Sequence, residues 1–361
     1  MNEPKRIAVF QTAFLGDVVL TLPLIQALHE KFPAAAIIPV TIPAAASMLR
    51  GHPAVSKVLE YDKRGSLRRF WGMLTMIGLM RAEKFDIALI PHRSLRSAFV
   101  CRAAGIPIRI GFRRGMGRHL MTSTVPYDGD RHEIMRNLSL GKPLELKWGK
   151  RPLPLLYPSA EDRIAVDVLL EGRTPESSAK EERKMVAIAP GSVWATKRWP
   201  KESYVELLRL LSGEGIDVAL VGGDMDRELC AFIAKEAGTT RIVQAAGVLT
   251  ILQSAELLGR CSALITNDSA PAHLGVAMRT PVVAIFGPTV PGFGFAPAGP
   301  RDRVVETSGL VCRPCAIHGG KKCPIGTLEC MHAISAVRVR NEVMAIVGKT
   351  RDARKAGVGS H

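Results

Sequence analysis

Three segments of this 361-residue chain place polar or acidic residues just after a short apolar run, the arrangement that carries ligands in α/β proteins. Gln11-Thr12-Ala13-Phe14-Leu15-Gly16-Asp17 follows the run Arg6 to Phe10 and leads into an apolar helical pattern, so Gly16 and Asp17 fall at a strand-to-helix turn. An Asp there can cap the helix or take a proton from a hydroxyl. The positive helix end is expected to hold its carboxyl below the usual range. Pro190-Gly191-Ser192 to Lys197-Arg198-Trp199-Pro200 offers backbone amides, a hydroxyl and two adjacent cations, a set that suits a diphosphate or, more simply, a solvated basic loop. In Thr266-Asn267-Asp268-Ser269-Ala270-Pro271-Ala272-His273, Asp268 or Ser269 can cap and Pro271 fits a first turn. The free amides then make an anion site, with His273 one turn in.

Other signals are looser. Asp224-Met225-Asp226 and Asp128-Gly129-Asp130 match the D-x-D pattern of metal-dependent sugar transferases, a three-letter match that many loops share. Asp224 reads as a partner for a ribose or base, or as a helix cap. Cys312-x2-Cys315-x7-Cys323-x6-Cys330 has the count of a tetrahedral zinc site but lacks paired C-x-x-C motifs, so free thiols are the simpler reading and no metal is expected. Between Asp86 and Asp128 stand seven arginines, Arg93, Arg96, Arg113 and Arg114 among them, with no lysine and no acid. That choice favours forked recognition of phosphate or carboxylate. Neither G-x-G-x-x-G nor a P-loop occurs, which disfavours a nicotinamide dehydrogenase.

The elements that must position these residues alternate between short β-branched runs and longer amphipathic stretches, the pattern of parallel sheets with crossover helices. Strands are expected at Arg6 to Phe10, Ala36 to Thr41, Val55 to Asp62, Asp86 to Pro91 and Ile108 to Phe112, with helices at Gly16 to Lys31, Ser66 to Lys84, Leu95 to Ala104 and Ala160 to Leu170. The alternation restarts with strands at Val186 to Ala189, Val218 to Gly222, Ile242 to Ala245, Ala263 to Thr266 and Val282 to Phe286. A last helix is expected from His332 to Val347. Two doubly wound Rossmann-like domains follow, 1–171 and 185–348, joined by a polar linker at 172–184 and trailed by a disordered basic tail at 349–361. Ligands are expected at the strand ends, in a cleft between the domains.

Composition fits this picture. Hydrophobic residues make up 47% and charged residues 23%, ordinary for a globular chain. The net charge is +16, and residues 1–150 hold 23 Lys/Arg against 11 Asp/Glu, which is +12 of it, so the front half meets something anionic. No apolar run reaches the ~20 residues of a bilayer span, and no signal peptide is read. Seven cysteines without an export signal suit a reducing cytoplasm. The helix from Ser66 carries Phe70, Trp71 and Leu74 beside Arg68 and Arg69. It suits packing on its own sheet or contact with an anionic bilayer.

Taken together, the Gly16-Asp17 turn with Thr21-Leu22-Pro23, the Pro190 to Pro200 segment, and Asn267 to Leu274 resemble the ADP-heptose:lipopolysaccharide heptosyltransferases, over roughly Arg6 to Val347. The cysteine-rich segment looks most like heptosyltransferase II members. The resemblance implies a GT-B fold, with the acceptor on the first domain and the nucleotide sugar on the second. It implies metal-independent, inverting transfer of L-glycero-D-manno-heptose from ADP-heptose to the lipid A-Kdo inner core of lipopolysaccharide, at the second heptose. Asp17 would be the general base. Ser192 and Lys197 would hold the diphosphate, Asp268, Ser269, Ala270 and His273 would line the donor site, and Asp224 would face the adenosine. Gly16, Arg93, Arg96, Arg113 and Arg114 would meet the acceptor at the cytoplasmic face of the inner membrane, and no cofactor is called for. A GT-B enzyme with another nucleotide sugar or core position shares these features. A nucleic-acid-binding protein shares the charge, but only four Trp and four Tyr offer little stacking surface, and no nucleic acid is expected.

Overall fold

The computed structural model describes residues 3–62, 66–150, 152–171 and 184–356, without the side chains of 66–69 and 349–356. The expected linker at 172–184 lies outside them apart from Lys184, as does the end of the tail. The chain forms two compact units, 1–157 and 158–361.

The first unit is a six-stranded parallel sheet of β1 (Arg6–Phe10), β2 (Ala36–Thr41), β3 (Leu59–Glu60), β4 (Ile87–Ile90), β5 (Ile108–Phe112) and β6 (Ser123–Val125), in the order 3-2-1-4-5-6. Its central strands are apolar almost throughout because helices cover both faces. Ile7 of β1 pairs in register with Ile37 on one side and Ile87 on the other, all three buried. The second unit repeats the plan with β7 (Met185–Ala189), β8 (Asp217–Leu220), β9 (Ile242–Gln244), β10 (Ala263–Asn267), β11 (Val282–Phe286) and β12 (Arg303–Glu306), ordered 9-8-7-10-11-12. Both orders reverse direction at their first strand. The loops leaving β1 and β4 therefore diverge in one unit, and those leaving β7 and β10 diverge in the other, which opens a crevice at each switch point.

Several elements differ from the sequence reading. The helix expected from Gly16 to Lys31 is two, Leu15–Val19 and Leu22–Lys31, because Pro23 cannot donate to a continuous helix and sits instead in the first turn of the second one. The expected strand Val55 to Asp62 shrinks to β3, while the edge strands β6 and β12 carry too few apolar residues to stand out. Helix Ala160–Leu170, expected in the first domain, packs in the second unit, where Arg260 bonds Arg163 O and pairs with Asp167. The last helix starts at Ala336 and runs to Ala356, into the segment expected to be disordered.

Candidate active site

At the first switch point the chain leaves β1 through buried Gln11 and Thr12 and turns into the helix Leu15–Val19. Asp17 is not the N-cap; Phe14 is, and Asp17 stands at the third helical position. From there it reaches back and accepts the Phe14 N–H at Oδ2, 3.0 Å away, as the acidic half of a capping box does. The turn is locked by a polar network. Thr21 Oγ1 donates to Asp17 O (2.8 Å), and buried Asn137 donates to Leu20 O (3.1 Å), so helix Glu133–Ser139 is tied to the same turn. Gly16 is buried under it.

The shift at Asp17 runs opposite to the one expected. Burial pushes its carboxyl from 3.8 up to about 6, and the nearby Glu133 carboxylate adds to the rise. The Phe14 N–H pulls the other way and loses. Desolvation outweighs the helix end, and a carboxyl poised near neutrality is a usable base. Glu133, buried and paired with Arg136 at 2.9 Å, was not singled out from the sequence; neither was Tyr127, whose hydroxyl accepts from Arg136 (3.1 Å). The Arg93 guanidinium lies 4.2 Å from the Tyr127 ring centre, held by a cation–π contact where the chain leaves β4. His92 beside it meets Thr12 Oγ1 at 3.4 Å, linking the two loops that flank the switch point.

The arginine run is not one surface. Arg93, Arg113 and Arg114 are exposed at strand exits, and Arg96 leans on buried Tyr61. Arg109 spends its guanidinium on Leu120 O (2.8 Å) and Ile106 O, holding loops together.

At the second switch point Lys197 and Asp268, from the loops after β7 and β10, form a buried ion pair of 2.5 Å, with Thr289 Oγ1 donating to the same carboxylate oxygen (2.7 Å). Asn267, fully buried, staples the two loops: its Oδ1 accepts from Trp199 N (3.1 Å) and Tyr204 Oη (3.1 Å), and its Nδ2 donates to Pro190 O (2.8 Å). Trp199 is anchored further by its Nε1 to Ile334 O (3.0 Å). Asn267 and Trp199 thus build the site rather than face a ligand. Ser192 Oγ accepts the Trp194 N–H (3.3 Å) in a local turn. Ser269 is the N-cap of helix Ala270–Ala277, with its hydroxyl turned to Thr266 (3.3 Å) and no side-chain cap bond. Pro271 has no N–H and the Ala272 N–H donates to Ser269 O (3.1 Å), so the Ala270 N–H is the first-turn donor. His273 is buried one turn in. A cation and a helix N-terminus at one strand end can hold an anion.

Asp224 stands apart, its side chain 86% exposed and paired with Arg227 at 3.1 Å. The carboxylate that meets the β7 exit is Asp226. It accepts the Gly223 N–H (3.1 Å) and lies so close to Gly191 and Gly222 that a Cβ on Gly191 would fall 2.0 Å from it. The two glycines were the available sign of that approach. Asp128 accepts the Asp130 N–H (3.1 Å) and pairs with Arg131 (3.0 Å), an ordinary turn. All seven cysteines are free thiols, and among the described residues no three His, Cys, Asp or Glu side chains form a set that could hold a metal ion.

Residues 73–324, which run through both units, match the model of glycosyltransferase family 9 (heptosyltransferase). Among curated proteins the chain is similar to lipopolysaccharide heptosyltransferase 2 of Escherichia coli K12, 28% identical over 316 residues that cover 83% of this chain and 88% of that enzyme. Among solved structures it is similar to a glycosyl transferase family 9 protein from Veillonella parvula (TM-score 0.81, 23% identity, 96% of this chain and 97% of that one). A second is the E. coli ADP-heptose lps heptosyltransferase II (TM-score 0.76, 24% identity, 96% and 99%). With two sheets of Rossmann order and this family's model spanning most of its length, the chain belongs to glycosyltransferase family 9, the heptosyltransferases, and has their GT-B fold.

Proposed function

We propose that the protein moves L-glycero-D-manno-heptose from ADP-heptose to the lipid A-Kdo inner core of lipopolysaccharide, with inversion, as the second heptose. The observation that carries this is that the two switch points hold complementary chemistry: a carboxyl poised near neutrality after β1, and a buried cation beside a helix N-terminus after β7 and β10. Inversion needs a base on one face of the sugar and a stabilised leaving group on the other. Asp17 takes the proton of the acceptor hydroxyl as its oxygen attacks the anomeric carbon. The bond from that carbon to the diphosphate oxygen breaks, and its electron pair leaves with ADP. Lys197, Ser192 and the Ala270 N–H receive the charge of the diphosphate and do the work a divalent cation does elsewhere. Asp268 keeps Lys197 aimed, His273 and Ser269 line the donor site, and Asp224 meets the adenosine.

The acceptor is assigned to the first unit, whose Arg93, Arg96, Arg113 and Arg114 suit a phosphorylated, acidic glycolipid. No helix of the described residues is long and apolar enough to cross a membrane. Phe70, Trp71 and Leu74 stand exposed on helix Ser66–Ala82, which fits contact with the anionic cytoplasmic face of the inner membrane. The donor and the heptose position rest on the names of the E. coli relative and neighbour. The test is ADP release from ADP-heptose with two acceptors, heptose-free core lipid and the same lipid carrying one heptose. Release with the second alone is expected. Release with the first alone moves the assignment to the first heptose, and release with neither, from folded protein, overturns it.

A further inference from the structure

The loop that carries four cysteines, 312–330, lies against Lys197 on one side and reaches Asp268 through Thr289 on the other. On the lysine side, Thr196 N donates to Gly320 O (3.1 Å), and the Thr196 hydroxyl both donates to that oxygen (3.0 Å) and accepts the Gly320 N–H (2.8 Å). The residue before it, Gly319, has φ +80°, and a Cβ there would stand 3.1 Å from Lys197 Cγ, tighter than ordinary contact. The loop thus lies along the lysine stem. On the aspartate side, the buried Arg313 guanidinium donates to Thr289 O (2.7 Å), Thr307 O (2.7 Å) and Gly287 O, and pairs with Glu306. Thr289 in turn holds Asp268 through its hydroxyl. Cys315 N to Pro288 O (2.9 Å) closes the seam.

A surface loop needs none of these contacts merely to cross from β12 to the last helix. Four hydrogen bonds to two residues, Thr196 next to Lys197 and Thr289 bonded to Asp268, fix where that pair stands. We propose that loop 312–330 positions the donor site: Thr196, clasped by Gly320, and Thr289, clasped by Arg313, hold Lys197 and Asp268 in the geometry that receives the diphosphate. Thr196 and Arg313 are positioning residues, and the proposal rests on the reading that Lys197 grips the diphosphate.

The test is a double-mutant cycle on the full-length protein, with ADP affinity by calorimetry and the acceptor KM as readouts. Thr196→Val removes the two hydroxyl bonds of the clasp and is expected to weaken ADP about 5- to 20-fold, the scale of a lost buried hydrogen bond pair, without moving the acceptor KM. Thr196→Ser, which keeps the hydroxyl, is expected to restore it. In a Lys197→Ala background Thr196→Val should cost nothing further, because its effect passes through the lysine. Gly319→Ala, whose Cβ would crowd both the lysine stem (3.1 Å from Cγ) and the Thr196 hydroxyl (3.3 Å) from a backbone at φ +80°, is the second variant should Thr196→Val fold poorly, and it should weaken ADP in the same way. If Lys197→Ala weakens ADP while Thr196→Val and Gly319→Ala do not, or if the effects of Thr196→Val and Lys197→Ala add in full, positioning is overturned and the diphosphate reading stands. If Lys197→Ala binds ADP like the wild type, the diphosphate reading itself fails and the proposal falls with it.

Discussion

Lys197 Nζ lies 2.5 Å from Asp268 Oδ2 in a setting where both side chains are almost wholly buried. A buried pair of this kind is costly to break from one side, because the survivor keeps its desolvation penalty without its partner. Asp268→Ala is therefore expected to destabilise the second unit by about 3 kcal/mol in urea unfolding. Added ADP should return part of that loss, since a diphosphate supplies the anion that Lys197 has lost. An unchanged urea midpoint for Asp268→Ala would show that the pair carries no such burden.

Activity should titrate with Asp17. Its carboxyl is raised to about 6, so kcat/KM for the acceptor is expected to be flat above pH 7 and to fall about tenfold per unit below 6 as the base is protonated. Asp17→Asn should lower turnover by ~100-fold or more and leave ADP affinity unchanged. A rate that stays level down to pH 5 would remove Asp17 from the proton transfer.

The same shift has a consequence for stability, of opposite sign to the familiar salt-bridged aspartate. Because the folded protein binds the Asp17 proton more tightly than the unfolded chain, whose value is 3.8, ionisation of Asp17 costs stability above pH 6, and that cost disappears as pH falls toward 4. Asp17→Asn, which cannot ionise, should be more stable than the wild type at pH 8 by roughly 1–2 kcal/mol, after allowance for the partial exposure of the side chain. The gain should shrink between pH 6 and 4. A base that costs stability would be the usual trade of stability for function, and an Asp17→Asn variant less stable than wild type at pH 8 would contradict the desolvation argument.

What was legible in the sequence follows from what each signal depends on. Buried parallel strands read as apolar runs, so β1, β7, β10 and β11 and the polar turns leaving them stood out, and so did the family that joins those turns in order. Quantities set by long-range packing did not. The spacing of Gly16 and Asp17 shows a nearby helix end but not the burial that overrides it. Asp224 and Asp226 are equivalent as letters in D-x-D, and only the single turn of 3-10 helix decides that Asp224 faces water while Asp226 meets Gly191. Thr289 reaches the site from a loop without periodicity beyond the Asn267 to Leu274 motif, and Gly320 reaches it from inside the cysteine segment, whose letters announce thiols rather than a backbone clasp on Thr196.

Gly191 and Asp226 give a direct test of that packing. A methyl at position 191 would stand 2.0 Å from Asp226 Oδ1 and 2.3 Å from its Cγ. Gly191→Ala is expected to cost about 1–3 kcal/mol through overpacking. Asp226→Gly in the same chain should return most of it, because the clash needs both side chains. Equal stability of Gly191→Ala and wild type in urea unfolding would show that the loop simply steps aside.

The cysteines should differ sharply in reactivity. Burial pushes the Cys101, Cys230 and Cys261 thiols up, the last two to about 12, and Cys315 and Cys330 are also raised. Cys323 moves the other way: the backbone N–H groups of the turn that follows it, those of Leu328 and Ile325 above all, hold the thiol below its usual range. The thiolate is the form that reacts, and Cys323 is partly exposed. Brief treatment with a maleimide at pH 7, followed by peptide mass spectrometry, is expected to label Cys323 ahead of Cys315 and Cys330 and to leave Cys101, Cys230 and Cys261 untouched. Cys323 lies three residues beyond Gly320, so a bulky adduct there should also weaken ADP binding, and prior saturation with ADP should leave the order of labelling unchanged. Labelling of Cys330 before Cys323 would mean that the turn at 325–328 does not present its amides to the sulfur.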